Sequence, residues 1–324
     1  MLTDRGISAL EWRDEFVTLL SSAVPEDWER ARALKLSKVP DHLYRYYAVN
    51  ENSLKGLLGS TVWLSAASNF NDLHDTSADF DAIDFVEASL RKGLEDGSLG
   101  LPPEMKDFLP PVANDMIGAF DAFLAAEVEK QAGPEAAARA KDFYKNFTQK
   151  QSREMSAIGS KFLQQRTKVG CFCEAGDEPL LWAHYADRHR GFCVEYPIKD
   201  LPRDDLRLRW LLPVVYGARK FSLSGLVMSQ GGKPHPQMVW LASIHKAPYW
   251  AYEREWRIVD TVGDRVPGRE ILMPKPSGVF LGHRMSEETR ALVTEIASKQ
   301  GIPIFKMGPS SEGFGLHAEP VSTG

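Results

Sequence analysis

The chain has 324 residues, 43% of them hydrophobic and 26% charged, with a formal net charge of −5 at pH 7. This balance excludes collagen-like and disordered classes, and the length suffices for one large domain or two ordinary ones with a sizeable core. The negative net charge removes any global electrostatic case for nucleic-acid or membrane binding, leaving only local basic grooves to consider.

The N-terminal stretch Met1 to Ser21 is broken by Asp4, Arg5, Glu11, Arg13, Asp14 and Glu15, unlike the apolar core of a secretory signal. Apolar runs such as Leu211 to Val215 fall far short of the roughly 18–20 residues that cross a bilayer. With only three cysteines, too few for a disulfide framework, the expectation is a cytoplasmic protein without membrane contact.

Residues 8–35 predict a helical lead-in, with Leu10, Phe16, Leu19 and Leu20 near helical spacing and a helix start at Pro25. A strand follows over Leu43 to Tyr47, then a short helix through Leu54, Leu57 and Leu58, then a strand over Thr61 to Ser65. Residues 66–78, rich in turn formers around Ser68 to Asp72, predict an exposed loop. From about 80 to 166 the pattern predicts three or four helices, interrupted at Gly97 to Gly100, Pro102-Pro103, Pro110-Pro111 and Gly133-Pro134. Strands are then expected over Val169–Cys173, Gly191–Tyr196, Leu211–Tyr216, Trp256–Val259, Gly278–Gly282 and Pro303–Lys306, with helices near 180–188 and 286–299. The fold class read from this order is α+β, a mainly antiparallel split β-core. Residues 1–40 form the lead-in, 41–80 with 167–324 the core, and 81–166 a helical insertion.

Three groups of residues could carry chemistry. Cys171, Cys173, His184, His189 and Cys193 lie close together, but their spacing is not that of a zinc knuckle. Strand alternation puts both Cys171 and Cys173 on one face, where thiols pack as small hydrophobes, so no metal is expected. In the run Leu181 to Gly191, Trp182, His184 and Tyr185 line a pocket or, on the plainer reading, Trp182 and Tyr185 form one packed helix face. In the run Lys246 to Val259, alternation places Glu253, Glu255 and Arg257 on one polar side and Trp256 and Ile258 on the other. Two close carboxylates suit acid–base or oxocarbenium chemistry; a solvated strand face, with Arg254 and Arg257 as charge partners, is the alternative. Arg203, Arg207, Arg209, Arg219 and Lys220 form a basic cluster that serves an acceptor or, with Asp204 and Asp205, a solvated loop.

Tyr44-Arg45-Tyr46, Trp63-Leu64-Ser65 with Phe70-Asn71-Asp72, Cys171-Phe172, Leu181 to Tyr185 with Gly191, and Tyr252 to Arg257 together resemble domain of unknown function family 2971, found in bacterial and phage proteins. The resemblance covers residues 42–78 and 168–310 and departs from the family at Leu73, where a proline is usual. The layout is also similar to that of DNA-targeting ADP-ribosyltransferase toxins. That similarity implies an ADP-ribosyltransferase-like core, with Glu255 catalytic, Glu253 orienting the acceptor and Arg45 on the first strand contacting NAD. Tyr44, Trp182, His184 and Tyr185 would complete the cofactor pocket. With no Gly-rich phosphate loop, NAD would lie across a split sheet.

The function expected on this basis is NAD consumption, by transfer to a nucleic acid or protein or by hydrolysis, in a toxin or phage-defence effector. The alternatives are a non-catalytic nucleotide- or partner-binding module, in which Glu255 is buried in ion pairs, and a metal-dependent hydrolase using His184 and His189.

Overall fold

The computed structural model describes residues 11–72, 74–95, 97, 116–229, 237–261 and 267–321. Expectations for Leu10, Leu73, Pro102-Pro103 and Pro110-Pro111 lie outside these residues.

Two helices open the chain, α1 (Glu11–Leu20) and α2 (Pro25–Lys38). Pro25 starts α2, where its missing N–H costs nothing, and Glu26 and Asp27 suit the positive end of the helix dipole. Strand β1 (His42–Tyr47) leads to α3 (Glu51–Gly59). Asn50 and Ser53 close a reciprocal capping box at its start, and Ser60, left-handed at φ 50°, turns its end into β2 (Thr61–Ala66). A 3-10 turn (Ala67–Asn69) and the short β3 (Ala78–Asp79) precede α4 (Ala82–Glu95), α5 (Met116–Ala132) and the long α6 (Pro134–Arg166).

Next come β4 (Thr167–Cys173), α7 (Pro179–Tyr185), β5 (Phe192–Pro197), α8 (Leu206–Trp210), β6 (Leu211–Pro213), β7 (Val215–Tyr216) and β8 (Phe221–Ser222). They are followed by α9 (Leu223–Ser229), α10 (Met238–Ile244), β9 (His245–Lys246), a 3-10 helix (Pro248–Glu253), β10 (Glu255–Thr261), β11 (Gly268–Leu272) and β12 (Gly278–Leu281). The chain closes with α11 (Glu287–Lys299), β13 (Ile304–Pro309) and β14 (Leu316–Pro320).

Ten of these strands form one open, mostly antiparallel sheet in the order β11-β2-β4-β1-β5-β12-β13-β14, with β10 on β4 and β6 on β10; only β12 and β13 run parallel. Among the described residues the class is α+β, without a barrel. The sheet forks at β4. One edge of β4 pairs with β10 along its whole length, from Glu255↔Cys173 to Thr261↔Thr167. The other edge meets β1 at Tyr44↔Cys173 and β2 at Ser65↔Val169 and Ala66↔Lys168, so β1 and β2 diverge between these points. Arg45 bridges the gap, donating from Nη1 to the Cys171 carbonyl at 3.0 Å and from Nη2 to that of Trp63 at 3.3 Å. Helices α4, α5 and α6 enter the chain between β3 and β4.

The largest core cluster lies on one sheet face, around Leu43, Leu64, Phe172, Val194, Trp256 and Ile258. A second joins α1 and α2 to α10 through Phe16, Leu20, Leu212 and Leu241. Among the described residues no helix is long and apolar enough to cross a membrane.

Several expectations are corrected. The stretch 66–78 is not simply an exposed loop, because Asp75, Thr76, Ser77 and Ala78 are buried. The helix near 180–188 stops at Tyr185, and Asp187, Arg188 and His189 follow in left-handed conformations at φ 45°, 55° and 67°. Gly191 then re-enters the sheet so close to β1 that a Cβ would collide with the Tyr47 carbonyl oxygen. The run 211–216 is two short strands, with β6 joining β10 and β7 pairing in parallel with β9. Strands β11 and β14, unread in the sequence, add to the two ends of the sheet.

Candidate functional site

Residues paired across a sheet share a face. The register therefore assembles a polar row on the face opposite the main core: Glu255 beside Cys173, Arg257 beside Cys171, and Tyr44 between Cys173 and Glu195. Trp256 and Ile258 alternate to the core side, as the E-x-E-W-x-I pattern requires.

Three further elements bring side chains over this row. Lys246 comes from β9 and Tyr185 from the end of α7, while Glu253 ends the 3-10 helix, turned by Arg254 in the left-handed region at φ 43°. The turn after β2 supplies Asn69, Phe70, Asn71 and Asp75. Together they enclose a cavity of about 380 Å³, whose walls also include Tyr44, Arg45, Tyr46, Cys171, Cys173 and His184.

The floor is a chain of buried charges. Arg257, fully buried, donates to Asp75 Oδ1 and Oδ2 at 2.7 and 2.6 Å, to Glu255 Oε1 and Oε2 at 2.8 and 3.0 Å, and to the Ser243 carbonyl at 2.6 Å. Lys246 Nζ donates to Glu255 Oε2 at 2.9 Å and to Glu253 Oε2 at 2.5 Å. The Tyr185 hydroxyl donates to Glu253 Oε1 at 2.7 Å. The Lys246 ammonium also sits 4.9 Å from the centre of the Trp250 ring. Tyr216 caps the end of the strand by accepting from the Glu255 amide at 2.8 Å.

The two carboxylates differ in environment. Burial alone would raise the pKa of Glu255, but Arg257 and Lys246 more than offset it and hold Glu255 well below the ordinary carboxylate range, ionised. Glu253 moves the opposite way: burial and repulsion from Glu255 raise it, against the pull of Lys246 and Tyr185. For Lys246, burial opposes the charge, yet the two glutamates keep it protonated. Burial, followed by the field of Glu255, raises the Cys171 and Cys173 thiols, so both are poor nucleophiles. Burial also raises the Tyr185 phenol, helped by Glu253, which keeps it a donor.

Of the residues singled out in the sequence, Glu253, Glu255, Tyr44, Arg45, His184 and Tyr185 line this one cavity. Tyr44 in addition donates to Glu195 at 2.6 Å, and Ser277 donates to the other oxygen of that carboxylate at 2.7 Å. Trp182 is not in the cavity wall. It is fully buried behind Tyr46, edge-on at 5.3 Å, with its Nε1 donating to the Gly176 carbonyl at 2.9 Å. His184 faces the cavity, whereas His189, beyond the helix end, is not in its wall and stacks against Trp182 at 6.4 Å. The strand face bearing Glu255 and Arg257 is not solvated, and the lysine partnering Glu253 and Glu255 takes the place expected of Arg254.

Sequence reasoning passed over Asp75 and the Asn69–Asn71 wall and left Lys246 without a role. Lys246 had a signal: a lone lysine preceding an E-x-E pair at a spacing that a tight turn can close. Asp75 had none, because its partner Arg257 lies 182 positions away.

A family model described as a protein of unknown function (DUF2971) matches residues 181–258. That stretch runs from α7 through β10 and carries His184, Tyr185, Lys246, Glu253, Glu255 and Arg257. The parts of the resemblance read over residues 42–78, 168–180 and 259–310 lie outside it. No curated protein and no solved structure matches the chain.

Proposed function

We propose that the chain is an NAD-consuming, ADP-ribosyltransferase-like enzyme that cleaves the bond between nicotinamide and ribose. The observation that carries this reading is the convergence of Arg45, Tyr185, Glu253 and Glu255 on one cavity, with the two glutamates in opposed electrostatic states. Core packing has no need of four polar heads in one place.

In this mechanism the C1′–N bond breaks, and its electron pair neutralises the nicotinamide ring nitrogen. The positive charge that develops on the ribose is stabilised by Glu255, which is ionised and fixed in place by Arg257 and Lys246 before the reaction begins. The attacking oxygen of water, or of a nucleic-acid or protein acceptor, forms the new C1′–O bond and gives its proton to Glu253. The raised affinity of Glu253 for a proton suits it to that role. Tyr185 holds Glu253 in position, and the Tyr44 and Phe70 rings offer apolar walls to the nicotinamide. Arg45 adds a cationic wall for the phosphates. The remaining expectation, a toxin or phage-defence effector, rests on the resemblance alone, and a cytoplasmic location on the three cysteines and the charged N-terminal stretch.

One observation favours a second reading, a nucleotide-binding module without chemistry. Glu255 is 2% exposed and already accepts from both Arg257 and Lys246. The test is nicotinamide release from NAD by the wild type and by Glu253→Gln and Glu255→Gln, each with and without DNA, RNA and lysate protein. The enzyme reading expects release by wild type, falling about 100-fold or more in both variants. Thermal stabilisation by NAD without release would establish the binding module, and neither response would end both readings.

A further inference from the structure

A second cavity, of about 410 Å³, lies between α1, α2, α8 and α10, and shares no lining residue with the first. Its wall is mixed: Phe16 and Leu20 of α1, Leu212 of β6 and the indoles of Trp28 and Trp240 supply apolar surface, and Glu29, Arg32, Lys35, Arg209 and Gln237 complete it. Phe16, Leu20 and Leu212 are each 5% exposed or less.

Beside these apolar groups the fold places a buried lysine. Lys35 is 3% exposed, and its Nζ donates to the Leu208 carbonyl at 2.7 Å and to the Arg209 carbonyl at 3.2 Å. A charged ammonium carries three protons, so one has no acceptor among the described residues, and a buried cation without an anion is costly. The charged groups that face Lys35 are Glu29 and Arg32 of its own helix and Arg209 of α8; α1, β6 and α10 contribute none to the wall, and Gln237 is uncharged. Glu29 lies 3.7 Å from Arg32, leaving Lys35 and Arg209 as surplus positive charge. Burial, reinforced by Arg32 and Arg209, brings the Lys35 pKa down to about 7.

We propose that this cavity is a binding site for a small amphipathic carboxylate, its alkyl or aryl body against Phe16, Leu20, Leu212 and the two indoles and its head on Lys35 Nζ. The carboxylate supplies the missing acceptor and the compensating charge in one group, while a neutral apolar molecule supplies neither. Binding therefore holds the proton on Lys35. Above pH 7 the complex takes that proton up from solution.

The test titrates the full chain with octanoate, 3-phenylpropionate and octan-1-ol by calorimetry at pH 8, in phosphate and in Tris. One or both carboxylates should saturate a single site at least about tenfold more tightly than the alcohol. The binding enthalpy should differ between the buffers by the ionisation heat of about one proton taken up. The better carboxylate identifies the alkyl or aryl preference. Lys35→Met should lose at least about tenfold in carboxylate affinity and abolish the proton uptake, with octan-1-ol unchanged. Arg209→Gln, at the exposed rim, should weaken binding less. Equal affinity for octanoate and octan-1-ol, or saturable binding without proton uptake, would overturn the proposal. So would the absence of saturation by either carboxylate. These readouts come from the wild type, so they decide the matter even if Lys35→Met fails to fold.

Discussion

The two faces of β10 are built from one alternating sequence and solve burial in opposite ways. Trp256 and Ile258 enter a contiguous apolar core, where each contact is non-directional and a neighbour can shift to fill space. Glu255 and Arg257, equally buried, are held by directional bonds with Asp75, Lys246 and the Ser243 carbonyl. The core face contributes stability in proportion to the area it hides. The ionic face contributes little net stability, because desolvation offsets attraction, but any missing partner exposes the full cost of a buried charge. What the ionic face supplies is position: it holds two unlike carboxylates under a cavity.

The sharpest way to break this contrast is to cut each face once and then to replace the ionic one outright. Trp256→Ala should cost about 3–5 kcal/mol through the cavity it leaves and the loss of its Nε1 bond to Glu174 at 2.8 Å. Arg257→Met should cost a similar ~3–5 kcal/mol, because Asp75 and Glu255 lose their shared cation. The combination Asp75→Leu, Glu255→Leu and Arg257→Met should recover most of that loss, since an apolar replacement of a buried ion triad is often neutral and Lys246 keeps Glu253 as its partner. Denaturant midpoints of the three proteins decide it. A triple variant no more stable than Arg257→Met would mean that the ionic face is itself a main source of stability.

A smaller effect, visible through pH, concerns Lys246. Glu255, with its pKa depressed in the fold, contributes stability that is full above the unfolded carboxylate range and lost as pH falls through the folded value. Glu253, with its pKa raised, contributes stability that is present below that range and lost as pH rises through its folded value. Lys246→Met removes the cation they share, so both carboxyls rise. The variant's deficit relative to wild type should therefore be largest above about pH 5 and shrink on acidification. Thermal melts between pH 4 and 8 read the difference, and a deficit independent of pH would place the role of Lys246 in packing alone.

How much of this was legible in the sequence follows the same divide. Alternation assigned Glu255, Trp256 and Arg257 to their faces correctly, because a strand's period is local, but Glu253, placed by the same alternation, reaches the site from the 3-10 helix through the left-handed turn at Arg254. The α+β class was also legible, as was the order of strand, short helix and strand over residues 42–66, read from Leu43 to Tyr47, from Leu54, Leu57 and Leu58, and from Thr61 to Ser65. Whether the polar face meets water depends on what covers it. The cover comes from Asp75 and the Asn69–Asn71 turn, which in sequence read like any polar loop. Trp182 and Tyr185 show the same limit: three positions apart on one short helix, one is sealed behind Tyr46 and the other reaches Glu253. Strands β11 and β14 escaped notice because Arg269, Glu270, His317 and Glu319 give edge strands a polar composition that suits their exposure but hides their apolar alternation.

Next in size is Tyr185→Phe, which removes one hydrogen bond to Glu253 and keeps the ring. It should cost about 0.5–1.5 kcal/mol. On the enzyme reading it should lower the rate of nicotinamide release more than it alters NAD affinity, because Tyr185 positions a group that acts in the transition state. A change confined to affinity would make the tyrosine a wall of the pocket only.

The smallest expected effect lies outside both faces, on α6, where Lys150 and Glu154 approach to 3.9 Å with side chains 72% and 52% exposed. Chemically this is the same lysine–glutamate pairing as Lys246 with Glu253, which is 6% and 3% exposed. In water the attraction is screened and ordering two long side chains takes up much of the gain, so Lys150→Met should change stability by less than about 0.5 kcal/mol. Its effect should also fade with added salt, whereas that of Lys246→Met should not, because mobile ions do not reach the buried pair. Parallel melts of the two variants at low and high ionic strength make the comparison directly. An equal salt response in both would mean that the cavity floor is as wet as the helix surface, and Glu255 would then lack the dry surroundings on which its proposed role depends.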